Sequence, residues 1–159
     1  MLPANWRAGL AAAVGEGVFV TPAIDGVVLA VGRDLQGDGD YARLVPPLLE
    51  RLSATFGHAA WFVSHDEAEV HGWGLGRRGE LVRAYVHAAD RGELLWHGDV
   101  TDTEQLLGCF EADPRDHSDD PSWWPDERIV MRLAGEWAID PTRLGERALP
   151  PSAGLLGRL

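Results

Sequence analysis

The chain has 159 residues, a length that fits one domain with a substantial hydrophobic core. Its 45% hydrophobic and 25% charged residues are typical of a globular protein and exclude a disordered, fibrous or membrane-embedded chain. The 25 acidic residues outnumber the 14 basic ones, which gives a formal net charge of −11. Because affinity for phosphate backbones and anionic lipid comes mainly from Lys and Arg, this charge argues against nucleic acid or a membrane as partner.

Three further features of the sequence limit the reactions that the protein can catalyse and its location in the cell. All 14 basic residues are Arg, a bias typical of a GC-rich genome, so chemistry that needs a lysine is excluded. Cys109 is the single cysteine and cannot form an internal disulfide. The first residues lack the basic and apolar regions of a signal peptide, and the apolar runs are too short to span a bilayer. We therefore expect a cytoplasmic protein.

The first third of the chain is predicted to contain two helices and a hairpin. Apolar residues recur at helical spacing over residues 5–14. Two short apolar runs, 18–21 and 27–32, are separated by turn-forming residues and indicate a β-hairpin. A second helix is predicted over residues 46–56, with Pro46 in its first turn.

The middle of the chain is predicted to form a β-meander. Alternating apolar residues indicate four strands, over residues 60–64, 68–75, 80–87 and 93–97. Because the connections between them are only a few residues long, neighbouring strands must be antiparallel.

The last third of the chain is predicted to be mainly helical. Thr101 and Glu104 have the spacing of a capping box, which opens a short helix. A longer helix begins at Pro125, with Asp126 and Glu127 in its first turn. Residues 145–159 are expected to be a loosely ordered tail. The sequence thus predicts a single α+β domain over residues 1–159, with a mainly antiparallel sheet of about six strands and N-terminal, central and C-terminal helices packed on it.

Residues 74–79 have the letter pattern Gly-x-Gly-x-x-Gly of a nucleotide-binding loop. The dinucleotide-binding form needs a helix after the third glycine, whereas here a strand follows. The kinase form needs a lysine on the next strand, and the chain has none. The pattern is therefore interpreted as a glycine-rich hairpin.

Other patterns of catalytic or metal-binding residues are incomplete. Ser64, His65 and Asp66 are consecutive, so on a strand they cannot converge on one reacting atom. The calcium-loop pattern that starts at Asp34 has Val45 where a bidentate Glu is required. The histidines lack zinc-site spacing, and Cys109 is interpreted as a buried apolar residue. We predict no catalytic residue, no metal and no cofactor.

An acidic segment over residues 111–128 carries a net charge of −5 in 18 residues, from seven acidic residues and two arginines. Exposed tryptophans beside carboxylates favour binding of a basic protein partner. The alternative is a solvated loop that its tryptophans pin to the core. The predicted partner-binding residues are Asp113, Asp116, Asp119, Asp120, Trp123 and Trp124.

Two neighbouring strands carry aromatic and histidine side chains at alternate positions. His71 and Trp73 share one face of their strand, and Leu81, Arg83, Tyr85 and His87 share one face of the next. The predicted ligand pocket consists of His71, Trp73, Tyr85 and His87. The alternative is that these side chains lie at the edge of the core with their nitrogens hydrogen-bonded.

Some short segments resemble those of small acidic bacterial proteins similar to immunity proteins of polymorphic toxin systems. These segments are Trp137-Ala138-Ile139-Asp140-Pro141-Thr142-x-Leu144, His71-x-Trp73, Leu81-Val82-Arg83-Ala84-Tyr85 and Gly92-Glu93-x-Leu95-Trp96. The resemblance covers about half the chain. It implies an α+β fold and a role in binding and neutralising a toxin, and it nominates no active-site residue.

The expected function is therefore that of a non-enzymatic, immunity-like inhibitor that neutralises a basic toxin through an acidic, tryptophan-containing surface. The alternative is a small-molecule-binding protein or an enzyme that uses the histidine and tryptophan pocket. The oligomeric state does not follow from the sequence.

Overall fold

The structure is a computed structural model that describes residues 2–15, 17–111 and 123–158. These residues form an α+β fold with two antiparallel four-stranded sheets, which confirms the predicted fold class. The residues group into two compact units, a division that the single-domain prediction for residues 1–159 does not include. The first unit is Met1–Asp40 with Arg143–Leu159, and the second is Tyr41–Thr142.

The described residues of the first unit form a small sheet, one α-helix and a 3₁₀ helix over Arg33–Gln36. The helix α1 spans Trp6–Gly15, close to its predicted range. The strands, which lie in the order β1-β8-β2-β3, are β1 (Leu2–Ala4), β2 (Val18–Val20), β3 (Ala30–Val31) and β8 (Gly154–Gly157). Strands β2 and β3 form the predicted hairpin.

The end of the chain differs from its prediction. The sequence indicates a loosely ordered tail over residues 145–159, but the strand Gly154–Gly157 pairs with β1 on one side and β2 on the other. A strand of four residues is held mainly by backbone hydrogen bonds, so it leaves little alternation for a sequence pattern to detect.

Phe19 is the centre of the first unit's core. Its side chain is fully buried, and its ring meets that of Trp6 edge to face at 5.8 Å. A Cβ atom added to Gly9 would lie 2.2 Å from the Phe19 ring, and one added to Gly154 would lie 2.5 Å away. These two glycines therefore make room for the ring between α1 and β8.

The second unit contains a longer sheet whose strands follow one another in chain order. Its elements are α2 (Tyr41–Phe56), β4 (His58–His65), β5 (Val70–Arg77), β6 (Glu80–Ala88), β7 (Gly92–His97), α3 (Asp102–Leu106) and α4 (Glu127–Trp137). Each strand begins and ends within two residues of its prediction. Arg78 and Gly79 both have positive φ, 51° and 89°, as a type I′ turn between β5 and β6 requires.

Helix α2 begins five residues before the predicted start at Pro46. Tyr41, Val45 and Leu49 recur every fourth residue and are buried on one side of the helix. Pro46 and Pro47 therefore lie inside the helix rather than at its first turn. Burial of Tyr41 and Val45, which precede the two prolines, offsets the loss of the backbone hydrogen bonds that the prolines cannot donate.

The face of the second sheet under α2 contains alternate glycines. A Cβ atom on Gly74 would lie 2.6 Å from Cδ1 of Leu49, and one on Gly76 would lie 2.8 Å from the Leu49 carbonyl oxygen. Since glycine lets α2 approach β5 this closely, packing accounts for two of the three glycines in the nucleotide-loop pattern. The third, Gly79, serves the turn.

Both helices predicted near the C-terminus are present, but α4 begins at Glu127, two residues after the predicted start at Pro125. Thr101 and Glu104 form both hydrogen bonds of a capping box. Asp126 is the N-cap of α4, one position before its predicted place in the first turn, and its Oδ1 accepts a hydrogen bond of 2.8 Å from the Ile129 N–H. In the described part of the chain, no helix is both long enough and apolar enough to cross a membrane.

Candidate interaction surface

The predicted pocket residues lie together on the face of the second sheet that points away from α2. The register places His71 opposite His87 and Trp73 opposite Tyr85, so the four side chains share a face, as their alternation predicts. Leu81 departs from this pattern, because the register shift after Leu75 pairs it with Gly76 and places it on the α2 face.

Most of this face is buried under other side chains. Trp73 is fully buried, and Tyr85 and His71 are nearly so. Trp73 and Tyr85 belong to an apolar cluster with Cys109 and helix α4, and Phe110 and Trp123 pack against it. The Trp73 indole N–H donates to Glu104 Oε1, and His71 Nδ1 is hydrogen-bonded to Ser64 Oγ, an arrangement that the alternative interpretation also expects. Ligand binding by the four residues stays a prediction.

Burial shifts the pKa of three groups on this face. It raises the pKa of Tyr85 to about 12, with a further rise from the nearby Glu93 carboxylate. It also raises the pKa of the Cys109 thiol to about 12. The pKa of His87 is lowered, mainly because burial disfavours the imidazolium. The thiol is therefore protonated at neutral pH and is a poor nucleophile.

A buried ion pair, which the sequence analysis did not predict, lies on the same face. Arg83 and Glu104 are both fully buried, and the Arg83 Nε–H donates to Glu104 Oε1 at 2.9 Å. The same oxygen accepts a 2.7 Å hydrogen bond from the Trp73 indole N–H. The backbone N–H of Thr101 donates to Glu104 Oε2, also at 2.7 Å. One carboxylate thus joins two strands of the sheet to the start of α3.

Aromatic rings complete the surroundings of the Arg83 guanidinium. Its central carbon lies 4.2 Å from the ring centroid of Trp96 and 5.5 Å from that of Phe110. Its Nη1 donates to backbone carbonyls, including that of His97 at 3.0 Å. An indole ring and a carboxylate therefore bind one guanidinium together, by cation–π contact and charge-assisted hydrogen bonds.

Phe110 and Trp123, which flank residues 111–122 in the chain, pack against each other. Their ring centroids are 4.6 Å apart, and both rings also pack against Trp73. Phe110 has φ of 64°, in the left-handed region that a bulky side chain seldom adopts. Phe110 and Trp123 therefore belong to one aromatic cluster, although twelve residues separate them in the chain.

The two adjacent tryptophans have different environments. Trp123 is half-buried in the cluster, whereas Trp124 is 47% exposed and its ring meets that of His87 edge to face at 4.6 Å. The other predicted partner-binding residues, Asp113, Asp116, Asp119 and Asp120, lie outside the described residues. The sequence pattern around Trp123 and Trp124 does not indicate which of these two tryptophans enters the core.

A β-bulge in β7 changes which face its residues occupy. Val86 pairs with Leu95, but His87 pairs with Glu93, so Leu94 is the extra residue. Glu93 and Trp96 are three positions apart, yet both consequently lie on the face that carries Trp73 and Tyr85. Trp96 lies opposite Tyr85. Trp96 is 44% exposed. This edge of the sheet thus has a strip of three exposed side chains around one half-buried histidine. The strip, called the aromatic strip, consists of Glu93, Trp96 and Trp124 with His87.

A comparison with protein families, curated proteins and solved structures finds no match for this chain. The resemblance to immunity proteins accordingly stays a prediction. In the described residues, no group of three or more His, Cys, Asp or Glu side chains could hold a metal ion.

Proposed function

We propose that this protein is a non-enzymatic binding module, an immunity-like inhibitor that neutralises a basic toxin through its acidic, tryptophan-containing surface. The observation that carries the proposal is the different placement of Trp123 and Trp124. Trp123 packs against Phe110, while Trp124 remains 47% exposed beside His87. An aromatic ring that is fixed on one side and open to solvent on the other is typical of an interface hot spot.

Charge supplies the second support. Residues 111–122 contain five acidic residues and one arginine. The residues that flank them, Phe110 and Trp123, contact each other, and Phe110 also contacts Trp96 of the aromatic strip. Glu93 adds a carboxylate on the sheet itself. Carboxylates around an exposed ring attract a cationic surface, accelerate association and disfavour anionic competitors. This charge pattern favours a basic protein as the occupant.

The test begins with capture of the partner from the native host at low and at moderate salt. The captured protein is then purified, and its affinity for the chain is measured by titration calorimetry. We expect a one-to-one complex with a basic protein whose Kd rises steeply with salt. We also expect the chain to abolish the toxic activity of the partner.

Matched variants locate the surface. In the first, Asp116, Asp119 and Asp120 are replaced with Asn. In the control, three exposed carboxylates elsewhere in the second unit are replaced with Gln: Glu50, Glu67 and Glu136. Both variants remove the same charge, so we expect a large loss of affinity only in the first. Equal affinity of the two variants for the partner would contradict the proposed surface.

A further inference from the structure

We propose that Glu93 and Trp124 form a docking site for an arginine side chain of the partner. This proposal rests on the proposed function and specifies which kind of partner side chain is bound. The guanidinium would stack on the exposed face of the Trp124 indole and pair with the Glu93 carboxylate. Both groups are neighbours of His87, which contacts the Trp124 ring and lies opposite Glu93 in the sheet.

The same sheet face already binds one guanidinium, that of Arg83, with an indole and a carboxylate. Arg83 lies over the indole of Trp96 at 4.2 Å and donates to the carboxylate of Glu104. Glu93 and Trp124 offer the same pair of groups, an indole and a carboxylate, but at the surface. The chemistry that binds one guanidinium inside the protein is therefore available to a second one outside it.

The β-bulge in β7 places Glu93 at the proposed site. Without the extra residue Leu94, the alternation along β7 would place Glu93 on the face that packs against α2. The bulge instead brings this carboxylate next to His87, where its charge acts on both His87 and Tyr85. Leu94 and Leu95 both stay packed against the apolar core. Bulges that redirect a side chain are common beside functional sites.

Arginine is a better fit than lysine as the side chain that this site binds. The 14 basic residues of this chain are all Arg. A partner encoded in the same genome is expected to share this bias and to present Arg at its surface. A planar guanidinium also stacks on an indole while forming a bidentate pair with a carboxylate, whereas the lysine ammonium is a compact, strongly hydrated charge.

The site can be tested without the natural partner by using hexa-arginine and hexa-lysine peptides, which carry the same charge. We expect the wild-type protein to bind hexa-arginine about threefold to tenfold more tightly than hexa-lysine. The substitutions Trp124→Ala and Glu93→Gln should each reduce this ratio to about one, and Trp124→Phe should retain part of it. The unfolding midpoint of each variant verifies that it folds.

The matched controls are Phe56→Ala and Glu136→Gln, which change an exposed aromatic ring and an exposed carboxylate in the same unit. Both controls should keep the wild-type preference for hexa-arginine. Equal binding of the two peptides to the wild-type protein would overturn the site. So would a preference for hexa-arginine that persists in the Trp124→Ala protein.

Titration of the purified natural partner separates this site from the proposed function. A loss of affinity of about tenfold in Trp124→Ala and Glu93→Gln, with no loss in the controls, supports the site. If the partner binds these two variants normally but fails to bind the Asp→Asn variant, the arginine site is wrong and the proposed function stands. A chain that binds no basic protein contradicts the proposed function itself.

Discussion

The rings of Phe110 and Trp123, which flank residues 111–122 in the chain, lie 4.6 Å apart in one aromatic cluster on the second sheet. The next residue, Trp124, points its ring at His87 and stays 47% exposed. We therefore propose separate roles for these adjacent tryptophans: Trp123 stabilises the cluster, and Trp124 presents a surface to the partner. The predictions that follow test this division and the packing beneath it.

Replacing each tryptophan with alanine should separate the two roles. Trp123→Ala removes a ring that packs against Phe110, Trp73 and Tyr85, and we expect it to lower the free energy of unfolding by about 2 to 4 kcal/mol. Trp124→Ala should lower it by less than about 1 kcal/mol, because nearly half of that side chain is already in water. Urea denaturation of the two variants measures both values. Equal losses would contradict the assignment of separate roles.

The Arg83–Glu104 ion pair should be costly to break and much less costly to replace. Because both residues are fully buried, Glu104→Leu leaves a buried guanidinium without its carboxylate, and we expect a loss of about 3 to 5 kcal/mol. The double variant Arg83→Met, Glu104→Leu removes both charges and should recover part of that stability. A double-mutant cycle by urea unfolding provides the coupling energy. If the losses in free energy of unfolding of Arg83→Met and Glu104→Leu, each measured alone, simply add in the double variant, the two side chains are not coupled as the geometry indicates.

His87 should make stability depend on pH. Its folded pKa is lowered from the ordinary value of 6.5 by burial and by the charge of His71, against an opposing effect of Glu93. The unfolded chain then binds more protons than the folded one below about pH 6.5. The contribution of His87 to stability is therefore complete above that pH and is lost as the pH falls.

The variant His87→Gln isolates this contribution from those of other titrating groups. Between pH 7.5 and about pH 5, its unfolding free energy should decline less than that of the wild-type protein. Guanidinium unfolding at several pH values measures the difference. Parallel curves for the two proteins would show that His87 has the same pKa in the folded and unfolded chains.

Gly76 should tolerate no side chain. An alanine Cβ there would lie 2.8 Å from the carbonyl oxygen of Leu49, which is backbone and cannot move away without shifting α2. We expect Gly76→Ala to destabilise the protein by about 1 to 3 kcal/mol. Gly15→Ala is the control, since a Cβ at Gly15 meets nothing within 4 Å. Thermal unfolding compares the two, and a neutral Gly76→Ala would contradict the close packing of α2 on β5.

The four-stranded meander of the second unit could be predicted from sequence because its strands alternate and two of its three connections are marked by a glycine, Gly79 in one turn and Gly92 directly after another. The start of α2 was predicted too late, since Pro46 suggests a first turn, whereas Tyr41 and Val45 extend the buried side of the helix before it. The strand Gly154–Gly157 was missed because four residues carry too little pattern.

The candidate surface could be predicted only in part. Alternation correctly places Trp73 and Tyr85 on one face, but it does not show what covers that face. The bulge at Leu94 changes the face of Glu93 without leaving a trace in the spacing. The contact between Arg83 and Glu104 joins residues far apart in the chain, and the capping box indicates only the local partner of Glu104.

The most direct measurement of the central claim is hydrogen–deuterium exchange of the chain with and without its purified basic partner. We predict that binding slows exchange in peptides that cover residues 111–124 and strand β7, where the acidic segment and the aromatic strip lie. Exchange in the exposed half of α2, on the opposite face of the sheet, should not change. Protection confined to α2 or to the first unit, with none at residues 111–124 or β7, would contradict the account.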